Sequence, residues 1–227
     1  MQATAAVSPQ AVVWTELPIA SILTELRDPL LCYSCLSESW CLQPACAHPS
    51  CAVAACSPIC TAQLDPFHPA ECKQYPALAA FPDWHLATRL AVLLASSDDA
   101  TPQEPSLATV TSPCTLLTLE PLDATPVNVP DNFQPILNDL LATLSAGQHT
   151  QLAALANETT PSARLATLVS LCHAKVARNS FAVQRLQTED GDKAMGTETV
   201  IQQAIGKALY SCSSMLNHSC QPNAMVT

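Results

Sequence analysis

Eight of the twelve cysteines fall between Cys32 and Cys72, and the last ligand candidates read Cys56-x3-Cys60-x7-His68-x3-Cys72. Thiols interspersed with an imidazole at this spacing suit a metal: zinc takes four sulfur or nitrogen ligands at tetrahedral corners, and Cys-x2-Cys or Cys-x3-Cys turns set two sulfurs on one ion. Cys32 with Cys35 makes one pair, Cys56 with Cys60 another, and His68 with Cys72 a third. Cys51 joins either Cys46 or His48 as the fourth. Eight ligands close two zinc sites, leaving Cys41 as a spare thiol.

The competing use of dense cysteines is a disulfide framework in a small exported domain. That reading calls for an export signal, and the opening MQATAAVSPQ offers neither a basic residue nor a long apolar run. A reduced, zinc-loaded protein of the nucleus and/or cytoplasm is therefore expected. Nine basic against nineteen acidic residues give a formal charge of -10, and 32–72 holds no Lys or Arg. This balance repels a phosphate backbone, so direct nucleic-acid binding is not expected, while a basic protein segment would be attracted. No apolar run approaches a membrane span, and no phosphate-cradling glycine pattern appears.

The predicted fold class is α+β. Ala11–Leu23 carries β-branched clusters split by Pro18, which reads as two short strands or a bent edge strand. Asp83-Trp84 is expected to open a helix with Leu86, Leu90, Leu93 and Leu94 on one face. Six prolines from Pro102 to Pro130 mark 97–130 as a mobile, Pro/Thr-rich insertion. Helical stripes return at Ile136, Leu137, Leu140, Leu141 and Leu144, closed by Gly147, and at Leu165, Leu168, Val169, Cys172 and Val176. They read as core packing, with His173 an ordinary helix residue near a C-terminus. Ser180–Leu186 reads as a strand, followed by the polar loop TEDGDKAMGTE.

The chain closes with GKALYSCSSMLNHSCQPNAMVT, in which Asn217-His218-Ser219-Cys220-Gln221-Pro222-Asn223 resembles the NHSCxPN signature of SET-domain protein lysine methyltransferases. Asn179-Ser180-Phe181 is similar to the Asn-Ser-Phe that ends the helical insert of such proteins, and Gly206–Tyr210 to their Gly-x-x-Leu-Tyr strand. The cysteine window resembles a MYND-type zinc finger. Finger, helices, NSF and NHSCxPN in this order resemble the SET-and-MYND family over most of the chain.

That resemblance implies the site residues. The first and third ligand pairs share one zinc, giving Cys32, Cys35, Cys56 and Cys60; the second and fourth share the other, giving Cys46 or His48 with Cys51, His68 and Cys72. Thiolates dominate the disputed position in the family, which favours Cys46. The implied domains are partial SET strands at 1–30, the finger at 31–74, a helical insert at 75–178 and a partial SET core at 179–227. Asn179, Asn217 and His218 would hold S-adenosylmethionine, for methyl transfer to the lysine of a protein substrate. The family's glycine-rich cofactor strand, the segment with its catalytic tyrosine and the post-SET cysteines have no match here. No catalytic residue is assigned, and a fragment with weak or no catalysis is expected. Isolated from that chemistry, the finger would be a zinc-dependent module binding proline-rich peptides.

Overall fold

In a computed structural model the described residues are 18–24, 30–49, 51–96, 127–189 and 199–210. The 97–126 part of the Pro/Thr-rich insertion lies outside them, as does the whole NHSCxPN motif. The elements run β1 (Ala20–Leu23), β2 (Gln43–Pro44), β3 (Ala54–Ala55), α1 (Pro58–Leu64), α2 (His68–Glu71) and α3 (Tyr75–Leu78). Then come α4 (Pro82–Ser96), α5 (Gln134–Leu141), α6 (Ala146–Leu155), α7 (Pro161–Asn179), β4 (Ser180–Glu189) and β5 (Thr199–Leu209). Helices and antiparallel strands are thus both present, in an α+β arrangement.

Three strands form a sheet in the order β1-β5-β4, all antiparallel. At its centre Gly206 faces Leu23 on one side and Val183 on the other, beside a bulge between Val183 and Gln184. A Cβ at Gly206 would sit 2.2 Å from the Ile22 carbonyl oxygen, so the close approach of β1 excludes any larger residue. The expected strand at Ser180–Leu186 continues to Glu189, because β5 offers it a partner along its whole length.

α4 is the centre of the molecule, and it corrects the single apolar stripe expected there. Leu86, Leu90 and Leu94 are buried, but so are Trp84, His85, Ala87, Thr88, Arg89, Ala91, Val92 and Ala95. A helix buried on every side must be covered from every side. β1, α6 and α7 pack against it, with α3 at one end. The helix starts at Pro82 instead of Asp83-Trp84; proline has the fixed φ that suits a first turn, and the Phe81 carbonyl accepts from the His85 N–H at 2.8 Å.

The expected stripes form α5 and α7. Gly147 does not close the first, since α5 ends at Leu141 and Gly147 sits inside α6. Ser145 explains why: its Oγ accepts from the Gln148 N–H while the Gln148 side chain accepts from the Ser145 N–H, a reciprocal cap on a helix that begins one residue before the glycine. Thr160 caps α7 through the Ala163 N–H, with Pro161 in the first turn. His173 lies within α7, its ring stacked on Trp84 at 4.0 Å.

Candidate metal centre

Short backbone ties fold the cysteine window. Tight return of the chain at Cys32 is closed by Leu36 N–H to Cys32 O and Cys32 N–H to Ser37 O, both 2.9 Å. The return forces Leu36 to a φ of 60°, a left-handed conformation that a branched side chain adopts only when its surroundings hold it there; Leu36 is buried. Tyr33 N–H then bonds Ala54 O at 2.9 Å, fastening this turn to β3. β3 leads directly into Cys56, and Ser57 caps α1 by accepting from the Cys60 N–H at 3.2 Å. Pro58 in the first turn fixes the helix start, so Cys56 and Cys60 face the Cys32–Cys35 turn.

Four ligand atoms of Cys32, Cys35, Cys56 and Cys60 lie within 4.8 Å of one another, and so do those of Cys46, Cys51, His68 and Cys72. In the first cluster Cys35 Sγ is 3.7 Å from Cys56 Sγ, which is 3.6 Å from Cys60 Sγ. In the second, Cys46 Sγ is 3.6 Å from Cys72 Sγ, and Cys51 Sγ is 3.5 Å from His68 Nε2. Tetrahedral zinc with its usual bond lengths sets neighbouring sulfurs about 3.8 Å apart and sulfur and nitrogen about 3.6 Å apart. Both clusters could hold metal ions, and their spacing fits zinc.

The acid–base chemistry of the donors fits too. Burial, then hydrogen bonds shared with Cys46 and Cys51, push the Cys72 thiol up to about 12. The hydrogen bond with Cys60, then burial, pushes Cys56 up to about 12, whereas the Ser57 hydroxyl lowers Cys60 to about 7. Crowded thiols resist ionising together, and a dication is what lets them do so. Burial lowers the His68 pKa, favouring the neutral imidazole that ligates metals.

The second cluster takes in Cys46. Exposed His48 contributes its carbonyl, which accepts from the Cys51 N–H at 2.9 Å and closes the turn that returns Cys51. Cys41 is exposed and belongs to neither cluster. Asn179 ends α7, its amide donating to the Lys175 carbonyl at 2.8 Å. Asn217 and His218 lie outside the described residues. No protein-family model matches the chain. A search of curated proteins likewise finds no match.

One functional group escaped the sequence reading. Glu71, the residue before Cys72, is fully buried, and Arg89 from α4 meets it with Nε 3.1 and 3.2 Å from its two oxygens and with a further bond from Nη2. His85 Nε2 approaches the same carboxylate at 3.2 Å. Arg89 also donates to the Ser21 carbonyl and the Tyr33 hydroxyl, and its guanidinium lies over the rings of Phe67 and Tyr33. Tyr75 completes the group, packing edge-on to Tyr33 and His85 and donating to the Leu23 carbonyl at 3.2 Å. Burial alone would raise the Glu71 pKa, but Arg89 and His85 overcome it and hold the carboxyl at about 2. Tyr33 follows a ligand of the first cluster and Glu71 precedes a ligand of the second. One guanidinium therefore ties both clusters to α4 and β1. The only sequence signal was a Glu between His68 and Cys72 with an i, i+4 His85/Arg89 pair on the next long helix.

Among the described residues no helix is long and apolar enough to cross a membrane.

Proposed function

We propose that this chain is a two-zinc protein of the SET-and-MYND type, in which zinc holds 31–74 together as a finger docked on the helical insert and the C-terminal motif serves S-adenosylmethionine-dependent methylation of a protein lysine. The observation carrying the zinc reading is the interleaving of the ligand pairs, first with third and second with fourth, at tetrahedral spacing. Interleaved sites make each half of the finger depend on the other, so both ions contribute to one fold. What supports the methyltransferase reading is the NHSCxPN motif after β5, together with the order of finger, helices and strands. Methyl transfer from a sulfonium to a neutral amine asks the protein to align donor and acceptor. Of the residues assigned to the cofactor only Asn179 lies among the described residues, and its amide is engaged within α7. The partner is a protein substrate, and the place of action the nucleus and/or cytoplasm.

A second reading, a non-catalytic zinc module for proline-rich peptides, is favoured by the finger's own surface. Trp40 is 89% exposed and Ile59 73%, large apolar side chains in a segment without Lys or Arg. Zinc measured by atomic emission tests the metal; two ions per chain are expected, and one or none would overturn the pairing. Titration calorimetry with S-adenosylmethionine and transfer of labelled methyl groups to proteins test the enzyme, with His218→Ala as control. Silence in both, with retained capture of a proline-rich peptide, would move the conclusion to the second reading.

A further inference from the structure

The two clusters are built from similar residues but differ in what they present to solvent. In the second, His68 is buried and the three cysteines are half-buried. In the first, Cys32 and Cys60 are buried and Cys35 is exposed, with half-buried Cys56 beside it at 3.7 Å. The buried members are also the ones whose sulfurs are supported: the Cys56 N–H donates to Cys32 Sγ at 3.3 Å, and Ser57 stands over Cys60. Hydrogen bonds to a thiolate draw off the electron density that makes it nucleophilic, leaving Cys35 and Cys56 as the reactive edge. With zinc bound, a four-thiolate site carries one more negative charge than a three-thiolate, one-imidazole site, which further favours attack by its sulfurs.

We propose that the Cys35–Cys56 edge of the first cluster is a site of oxidative modification by peroxides, at which disulfide formation expels one of the two metal ions. The inference rests on the zinc reading above. The Cys35 thiolate attacks one peroxide oxygen; the S–O bond forms, the O–O bond breaks, and hydroxide leaves with the electron pair. The Cys56 thiolate then attacks the sulfenic sulfur, forming the S–S bond and expelling a second hydroxide. Two thiolates, one hydrogen peroxide and two protons give one disulfide and two waters; sulfur is oxidised and peroxide reduced. The sulfurs must close from 3.7 Å to about 2 Å. Zinc, left with Cys32 and Cys60, loses half of its ligands and departs. The second cluster, lacking an exposed thiolate, keeps its ion.

The test uses the full chain, loaded with zinc and carrying Cys41→Ser, since Cys41 is an exposed thiol outside both clusters. Hydrogen peroxide is added and free zinc followed with a chromophoric chelator, while peptide mass spectrometry maps the disulfides. One zinc equivalent should leave about tenfold faster than the second, with Cys35 joined to Cys56 in step with it. Release of both ions at one rate, or early loss from the second cluster, would overturn the proposal, as would release without a Cys35–Cys56 bond. In Cys35→His, which keeps four ligands, the fast phase should disappear. If that variant fails to load, the disulfide map of the parent protein decides alone. A chain that holds no zinc before peroxide is added refutes the zinc reading itself, whereas a chain that holds two and releases them together refutes only this inference.

Discussion

Replacing Arg89 with Met removes the one fully buried guanidinium among the described residues while keeping most of the side-chain volume. Glu71 then loses the guanidinium that meets both of its oxygens and retains only His85 at 3.2 Å, while the Ser21 carbonyl and the Tyr33 hydroxyl lose a donor. Breaking a buried pair by deleting one partner costs about 3–5 kcal/mol, because a charge is left without compensation in a medium that solvates it poorly. The loss of a donor at two further oxygens adds to that, and partial relaxation subtracts, so about 4 kcal/mol is expected overall. For a chain of this size that corresponds to a fall in Tm of about 8–16 °C. The companion double variant Glu71→Leu/Arg89→Met removes both charges and should cost at least about 2 kcal/mol less than the sum of the singles. Thermal and denaturant unfolding of zinc-saturated protein, followed by circular dichroism, measures both. A loss below about 1 kcal/mol for Arg89→Met, or additive singles, would refute the idea that this group is a coupled, desolvated unit.

The disputed second-site ligand separates cleanly: Cys46→Ser should bind one zinc and His48→Ala two, by atomic emission, since only Cys46 lies within the cluster. Chelation should do more than loosen the finger. Through Tyr33 and Glu71, which Arg89 contacts directly, it should also speed hydrogen exchange in α4, and more than in α7. Protection in α4 that is unchanged after metal removal would contradict this. Gly206→Ala should destabilise by about 3 kcal/mol or more, because the new Cβ meets the Ile22 backbone and not a movable side chain. Unfolding by urea checks it, and a neutral result would mean that β1 and β5 are not packed as closely as described.

Local chemistry was the legible part of the sequence. Cysteine spacing brings out the ligand pairs, because each pair is decided within a few residues of chain, whereas which pairs share a site came only from the resemblance to a MYND-type finger. The stripes of α5 and α7 follow from period alone, and the strand after Asn179 from its β-branched and aromatic residues. What was hidden depended on distant partners. A stripe cannot reveal that α4 is covered on all sides, for alanines and a threonine become core only when other elements close over them. Gly147 looked like a terminator, and only the Ser145–Gln148 exchange makes it the second residue of a helix. Nothing local to Arg89 and His85 announces that Glu71 arrives from outside the helix to meet them.

That meeting bears on how portable the finger is. Cut out as 31–74, it would carry Glu71 and Tyr33 away from Arg89, turning an internal salt bridge into an acidic, partly apolar scar on a piece with little core of its own. Zinc could still fill such a piece, but the ions would then hold loops with nothing to stand on. Anyone wishing to study or transplant this finger must take the helix at 82–96 with it, and that helix in turn requires β1 from one side of the finger and α6 and α7 from the other. The chain thus strings the segment with the two cysteine clusters between two parts of the body to which Arg89 ties them. A lineage could alter the surface of that segment freely, yet could exchange or lose the segment itself only by rebuilding the middle of the protein.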